Sequence, residues 1–327
     1  MSLRIALIGC GTAAEYYHLP ALRRLVPPKL AWFVDTDLER ARTLAAAFGA
    51  DRDHARESWA DLEVDAAIVA APNHLHAPIA IGLLTHGTHV LCEKPLALSA
   101  LEGRAVVQAA ETGDATLGVG HFRRFFPSTP LVADLLRREV CGPVRRFSAE
   151  EGYVFAWQAQ SSAWLDPAKA GGGVVADLGP HVFDLLRTWL GSELRVASVR
   201  DDAFGGVEAD AAIELAGSIP GTLELSRTRT LRNAIRIECE RGWIDVPLSV
   251  PGPITLELDG VLHRFQFDDT DPYPVAFSAQ LADFLEAVES GNSPIVTGAD
   301  GLAVLELIDA AYATRAPLPQ PWVTEAV

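Results

Sequence analysis

Two short segments carry side chains able to move a proton beside a bound ligand. One is Leu91-Cys92-Glu93-Lys94-Pro95. The chain has only three lysines, Lys29, Lys94 and Lys169, among 27 basic residues. Lysine at 94 therefore hints at a need for a compact ammonium whose pKa a site can tune. The other segment runs from Gly171-Gly172-Gly173 through Asp177 and His181 to Asp184. Asp177 and His181 stand four apart, so they share one face if the segment is helical. Histidine takes and returns protons near neutral pH, and a nearby carboxylate orients its ring. Three consecutive glycines let a ligand or another backbone come close. Ordinary readings stand beside these: a solvated Glu93–Lys94 pair, Asp177 as a helix cap, and His181 as a packing side chain.

A third segment, Gly9-Cys10-Gly11-Thr12-Ala13-Ala14, matches G-x-G-x-x-G/A. Gly9 permits a tight turn, Gly11 lets the backbone approach a pyrophosphate, and Ala14 allows a helix to pack closely on its strand. The helix that follows offers N–H groups and a positive dipole end to phosphates. Asp35 ends the next strand, roughly 20 residues past the loop, where an acid bonds a ribose. A carboxylate there accepts from the 2′- and 3′-hydroxyls and repels a 2′-phosphate, which predicts NAD over NADP. Arg40 and Arg42, in the next helix, could offset that repulsion.

Strands alternating with helices must carry these segments. Arg4–Gly9, Leu30–Asp35, Ala66–Ala71, Val90–Cys92 and Thr116–Gly120 read as strands. Ala13–Val26, Leu38–Phe48, Ala77–His86 and Ser99–Thr112 read as helices, the last with Ser99 and Glu102 in a capping-box pattern. Ala66–Ala71 is continuously apolar, as a strand buried on both faces requires. The alternation predicts a doubly wound parallel sheet, a Rossmann domain over 1–121. The pattern then changes. A helix is predicted over Pro127–Arg138, a strand over Val144–Val154 and a helix over Val175–Leu190. From about Arg195 to Phe267 strands succeed one another without helices, which predicts a large, open, mostly antiparallel sheet. Helices over Val275–Glu289 and Asp300–Thr314 complete an α/β domain expected over 122–327.

Composition bounds the function. Hydrophobic residues make up 49% of 327 and charged residues 21%, a soluble globular balance. A formal charge of −16 repels phosphate backbones, so nucleic-acid binding is not expected. Cys10, Cys92, Cys141 and Cys239 lie far apart, with no zinc signature and no disulfide framework, so no metal is expected. No apolar run is long enough to cross a bilayer, and the first residues read as a strand instead of a targeting segment. A cytoplasmic protein without a membrane partner is expected.

The motifs together resemble the glucose–fructose oxidoreductase, inositol dehydrogenase and rhizopine-catabolism (Gfo/Idh/MocA) family over nearly the whole chain. They are G-C-G-x-x-A-E-x-x-H-L-P-A-L at Gly9–Leu22, A-P-N-H-L-H at Ala71–His76, C-E-K-P at Cys92–Pro95, G-H-F-R-R-F at Gly120–Phe125, W-L-D-P at Trp164–Pro167 and G-G-G-x-x-x-D-x-G-x-H-x-x-D at Gly171–Asp184. The resemblance implies that Lys94, Asp177 and His181 gather beside a nicotinamide. His181 would take the hydroxyl proton of a secondary alcohol, Lys94 would bond the reacting oxygen, and Asp177 would hold the geometry. Ala71, Pro72, Asn73, His76 and Lys94 would line the cofactor with Gly9, Gly11, Thr12, Ala13, Ala14, Asp35 and Arg40, and Glu93 would lie near the nicotinamide ribose. The implied reaction is hydride transfer on a sugar, nucleotide-sugar or cyclitol. An NAD-dependent glycosidase and a non-catalytic nucleotide sensor are the rivals, the latter disfavoured because all three acting residues are present.

Substrate contacts are expected from His121, Arg123, Trp164, Asp166 and His181, with Arg124 and Trp157 as further candidates. Indole faces suit sugar rings and arginine suits carboxylate or phosphate. Asp166 could instead begin a turn with Pro167. His74, His86 and His89 are expected to cap or pack, and Cys10 and Cys92 to fill space. An uncovered sheet face over Gly221–Val246 is the expected homodimer or homotetramer surface.

Overall fold

The computed structural model describes residues 3–156, 165–191, 193–203, 206–248, 252–267 and 271–318. Its first part is a βα succession: β1 (Ile5–Ile8), α1 (Leu19–Leu25), β2 (Ala31–Val34), α2 (Leu38–Phe48), β3 (Ala55–Arg56), β4 (Ala66–Val69), α3 (His76–Leu84), β5 (His89–Cys92), α4 (Ala100–Thr112) and β6 (Leu117–Val119). The six strands form one parallel sheet in the order β3-β2-β1-β4-β5-β6. Every residue of β1 and β4 is buried, because helices cover both faces. The order reverses beside β1, so the ends of β1 and β4 open a crevice, the usual ligand position in such sheets.

Local signals set the helix ends. The Asp37 carboxylate accepts from the N–H groups of Glu39 and Arg40, and α2 stops at Gly49 with φ +91°. At α4 the expected capping box is half formed. Ser99 Oγ accepts from Glu102 N–H at 3.3 Å, but the Glu102 carboxylate accepts from Leu98 N–H at 3.0 Å, one residue before the cap.

The second part contains α5 (Ser128–Arg137), β7 (Val144–Gly152), α6 (Pro167–Ala170), α7 (Val174–Asp177) and α8 (Gly179–Leu190). Then follow β8 (Arg195–Asp201), β9 (Asp210–Ala216), β10 (Gly221–Ser226), β11 (Ala234–Cys239), β12 (Gly242–Pro247), β13 (Ile254–Leu258) and β14 (Val261–Phe265). The helices α9 (Pro272–Ser290) and α10 (Gly298–Ala313) lead to β15 (Arg315–Pro317). Nine strands make a sheet in the order β14-β13-β12-β11-β7-β10-β9-β8-β15. Only β7 with β10 and β8 with β15 run parallel; the other neighbours are antiparallel.

One face of this sheet buries Phe147, Ile213, Leu223, Ile237 and Ile244. The other face carries ion pairs, including Arg146–Glu238, Arg236–Asp245 and Arg232–Asp245, and the Arg236 guanidinium lies 3.8 Å from the Trp243 ring centre. The uncovered surface expected over Gly221–Val246 is therefore charged and paired.

The two long C-terminal helices return to the first sheet. Phe277, Leu281 and Phe284 of α9 share a buried cluster with Ile5, Leu7 and Leu91, and Leu305 of α10 lies against Gly103 of α4. Among the described residues no helix is long and apolar enough to cross a membrane.

Candidate active site

The glycine loop leaves β1 under tight constraint. Gly9 has φ +93°, and a Cβ there would lie 2.5 Å from the Ala70 carbonyl oxygen at the end of β4. Gly11 is different: nothing in the protein comes within 4 Å of the place its Cβ would occupy, and that space opens into a cavity. The room is the size of a missing methyl where a dinucleotide backbone approaches such loops, so the loop fits that ligand. Thr12 and Ala13 join the cavity wall. Ala14 is fully buried and begins a π-helical turn, Ala14–His18, that leads into α1.

Asp35, just beyond β2, anchors the loop from the other side. Its Oδ2 accepts from Cys10 N–H at 2.9 Å and its Oδ1 from Asp37 N–H at 2.9 Å, with Arg40 at 3.4 Å. Asp35 and Arg40 both line the cavity, whereas Arg42 pairs with Glu39 and does not line it. Burial pushes the Cys10 thiol up to about 12, so it is an apolar filler.

The cavity measures about 560 Å³ and runs from this loop to Lys94, Asp177 and His181. Lys94 Nζ donates to the main-chain oxygen of Asp177 at 2.9 Å and to its Oδ1 at 3.1 Å. Arg227, just after β10, holds Asp177 Oδ2 at 2.8 Å. Burial alone would raise the Asp177 pKa, but Lys94 and Arg227 outweigh it and hold the carboxyl below its usual range. The single helix expected over Val175–Leu190 is broken. Leu178 separates α7 from α8, where Pro180 in the first turn has no N–H to continue the ladder. Asp177 closes one helix and His181 opens the next, and both line the same cavity.

His181 is buried, and its Nδ1 has no hydrogen-bond partner among the described residues. Its ring stands edge-on to Phe122, 5.1 Å between centres. Burial first, then the charges of Lys94 and Arg123, hold its pKa well below the usual histidine value. His181 is thus neutral at physiological pH, the state a proton acceptor needs.

Second contacts fix the Lys94 loop. Glu93 Oε1 meets His18 Nε2 at 2.8 Å and Glu93 Oε2 accepts from Lys94 N–H at 3.1 Å. His76 lies fully buried between the carbonyls of Pro95, 2.7 Å from Nδ1, and Ala71, 2.8 Å from Nε2. Asn73 Nδ2 donates to Ala170 O at 2.8 Å, tying the first part of the chain to α6.

The glycine run before Asp177 serves backbone packing. A Cβ on Gly172 would fall 1.8 Å from the Tyr312 hydroxyl, and one on Gly173 would fall 1.9 Å from the Glu208 carbonyl oxygen. Glu208 Oε1 accepts from Gly173 N–H at 2.9 Å, Val175 N–H at 3.0 Å and Tyr312 O–H at 2.8 Å.

Of the expected cofactor contacts, Gly9, Gly11, Thr12, Ala13, Asp35, Arg40, Ala71, Pro72, Asn73, His76, Glu93 and Lys94 line the cavity, and Ala14 packs behind it. Among the expected substrate contacts, Arg123 and His181 line it. His121 is buried and is not among the lining residues. Asp166 caps α6 through Ala168 N–H at 3.1 Å and pairs with Lys169 at 3.5 Å, also away from the lining. Arg124 locks elements together, bonding Asp184 at 2.6 Å and Asp300 at 3.0 Å. Trp157 and Trp164 lie outside the described residues.

Several wall residues carry no local motif. Tyr17, Phe122, Tyr273 and Phe277 form an aromatic wall, with Tyr17 and Phe277 stacked at 4.9 Å and Phe122 and Phe277 at 4.7 Å. The spacing of Tyr273 and Phe277, one helical turn apart, was the available signal. Glu151, Tyr153 and Phe155 line the cavity from the end of β7 and the chain just beyond it. No motif marks Glu151 or Arg227; only the assembled fold brings them to the site.

The chain is similar to known proteins over most of its length. A family described as "Oxidoreductase family, NAD-binding Rossmann fold" matches residues 3–121, and the "GFO/IDH/MocA C-terminal domain" matches residues 101–245. Inositol 2-dehydrogenase of Rhizobium meliloti (strain 1021) is 28% identical over 331 residues, covering 95% of this chain and 96% of the relative. D-xylose 1-dehydrogenase (NADP(+)) 2 of Haloferax volcanii is 30% identical over 263 residues, covering 77% of this chain and 78% of the relative. Among solved structures, the aldose-aldose oxidoreductase from Caulobacter crescentus complexed with glycerol superposes with a TM-score of 0.85 at 25% identity, covering 96% of this chain and 97% of that one.

Proposed function

The chain belongs to the Gfo/Idh/MocA family of NAD-binding oxidoreductases, and from that premise we propose that it oxidises a secondary alcohol, or reduces the matching ketone, on a sugar or cyclitol, with NAD preferred to NADP. The observation that carries this reading is the meeting of Lys94, Asp177 and His181 in one cavity with the Gly9–Gly11 loop.

Bound there, the nicotinamide would supply the hydride acceptor or donor. His181, neutral and lining the cavity, takes the proton of the substrate hydroxyl as the alcohol becomes a carbonyl. The Lys94 ammonium bonds the reacting oxygen and stabilises negative charge that develops on it. Asp177 aims that ammonium through two acceptors, and Arg227 steadies Asp177 from the other side. Tyr17, Phe122, Tyr273 and Phe277 exclude water on one wall. Asp35 would accept from the ribose hydroxyls and oppose a 2′-phosphate, which supports NAD.

Residues 1–121 serve in this reading as the dinucleotide domain and 122–327 as the substrate domain. A homo-oligomer built on the charged outer face of the nine-stranded sheet is part of the proposal, since such interfaces are often no more apolar than the rest of the surface. A monomer in light scattering would overturn that part. The free thiols fit a reducing cytoplasmic setting.

The central test is formation of reduced nicotinamide from NAD⁺ and NADP⁺ across sugars, cyclitols and nucleotide-sugars, beside Lys94→Ala and His181→Ala. Turnover lost in both variants supports the reading. Tight cofactor binding without turnover of any polyol would overturn it.

A further inference from the structure

We infer that the substrate end of this cavity is built for an uncharged polyhydroxyl compound and selects against carboxylated or phosphorylated ones, with the Arg123–Glu151 pair as the specificity-determining element. The inference rests on the dehydrogenase reading and narrows its substrate class.

The cations of the wall can be counted fully. Arg40, Lys94, Arg123 and Lys169 are the lysines and arginines that line the cavity, and no residue outside the described ranges is Lys, Arg or His. Each already faces a carboxylate. Arg40 lies 3.4 Å from Asp35, Lys94 lies 3.1 Å from Asp177, Arg123 lies 2.5 Å from Glu151, and Lys169 lies 3.5 Å from Asp166. Arg227, the remaining cation beside the catalytic group, holds Asp177.

The pairs differ in depth. Lys169 and Asp166 are half exposed at the rim and would bend readily to solvent or ligand. Arg123 and Glu151 are almost wholly buried, 4% and 0% exposed, and meet as a two-bond fork at 2.5 and 2.9 Å. Glu151 offers almost no surface of its own, but its carboxylate, forked onto the guanidinium, cancels the positive charge that Arg123 would otherwise show to an anionic substrate. Such a substrate loses its hydration without finding a free positive charge, so its binding is penalised. A hydroxyl adds no charge beside the fork and can accept from the edge of the guanidinium that the cavity reaches. Arginine in the G-H-F-R-R-F segment would by itself suggest an acidic ligand. Glu151 reverses that expectation.

The test uses the wild-type protein loaded with cofactor and matched pairs that cover sugars and cyclitols: glucose with glucuronate, galactose with galacturonate, glucose with glucose 6-phosphate, and inositol with inositol monophosphate. Binding is measured by calorimetry with NADH, and turnover with NAD⁺. The anionic member of each productive pair should show a kcat/KM lower by at least about 100-fold. In Glu151→Gln the discrimination should shrink by at least about tenfold, and in Arg123→Gln/Glu151→Gln it should return towards the wild-type value. Should Glu151→Gln not fold, the wild-type comparison still decides. Equal or tighter binding of the anionic members overturns the inference. Binding of neutral sugars without turnover overturns the dehydrogenase reading and leaves the selectivity standing. Binding of neither kind overturns both.

Discussion

Lys94 grips Asp177 at two atoms, the main-chain oxygen and the carboxylate, so the ammonium can point into the cavity in only a narrow range of directions. Lys94→Arg keeps the charge but replaces a compact ammonium with a planar fork that cannot reproduce this double contact. We expect kcat to fall by about 10²- to 10⁴-fold, the scale of a lost acid–base group, and cofactor affinity to fall far less. Stopped-flow measurement of reduced nicotinamide with parallel binding titrations checks the split. A variant that loses affinity and keeps kcat would contradict the role of Lys94.

The low pKa of His181 sets the pH profile of the unliganded enzyme. Because the ring is already neutral at pH 6.5, kcat/KM should stay flat as pH falls through the usual histidine value and decline only in more acidic solution. Removing the Lys94 charge in Lys94→Met takes away one cause of the depression. The His181 titration should then move upward, which NMR of the ring resonances detects without any turnover.

Stability should also depend on pH, in a direction the buried rings dictate. His76, His121 and His181 all have pKa values held below 6.5 by burial, so the unfolded chain binds more protons as pH falls. Their contribution is complete well above pH 6.5 and is lost as pH falls below it. Unfolding in denaturant between pH 7 and pH 5 measures it. An unchanged midpoint over that window would be inconsistent with three neutral buried rings.

Asp35→Ala removes an acceptor that serves both the loop and, in our reading, the ribose. The ratio of kcat/KM for NADP⁺ to that for NAD⁺ should rise by about 10- to 100-fold, the size of one charge-assisted hydrogen bond. Arg40 then has one carboxylate fewer to hold it. A ratio that does not move would mean that Asp35 does not select the cofactor.

Gly173 tests the packing behind the catalytic turn. Gly173→Ala would drive a methyl into the Glu208 backbone and should both lower Tm and abolish activity. Tyr312→Phe removes only one bond to Glu208 and should cost about 1–2 kcal/mol of stability, with activity largely kept. Thermal unfolding and turnover of the two variants separate the effects.

The sequence is most legible where chemistry repeats at short range. The glycine loop, Asp35, Lys94, Asp177 and His181 all lie within local motifs, and β1 and β4 are runs too apolar for anything except a doubly covered strand. It is least legible where a contact joins distant positions. Glu151 meets Arg123 across 28 residues, Arg227 meets Asp177 across 50, and Tyr312 meets Glu208 across 104. The Asp177–His181 spacing suggested one helix face, yet Pro180 breaks the helix and the two side chains converge because the helices on either side are aimed at one cavity.

The return of α9 and α10 to the first sheet bears on how the molecule is made. Leu7 and Leu91 emerge from the ribosome long before Phe277 and Phe284, which cover them. The β6 strand likewise waits for Thr297, its bridge partner through Gly118. A nascent chain that has completed all six strands of the first sheet still presents an apolar face to the cell, and it does so throughout synthesis of the second sheet.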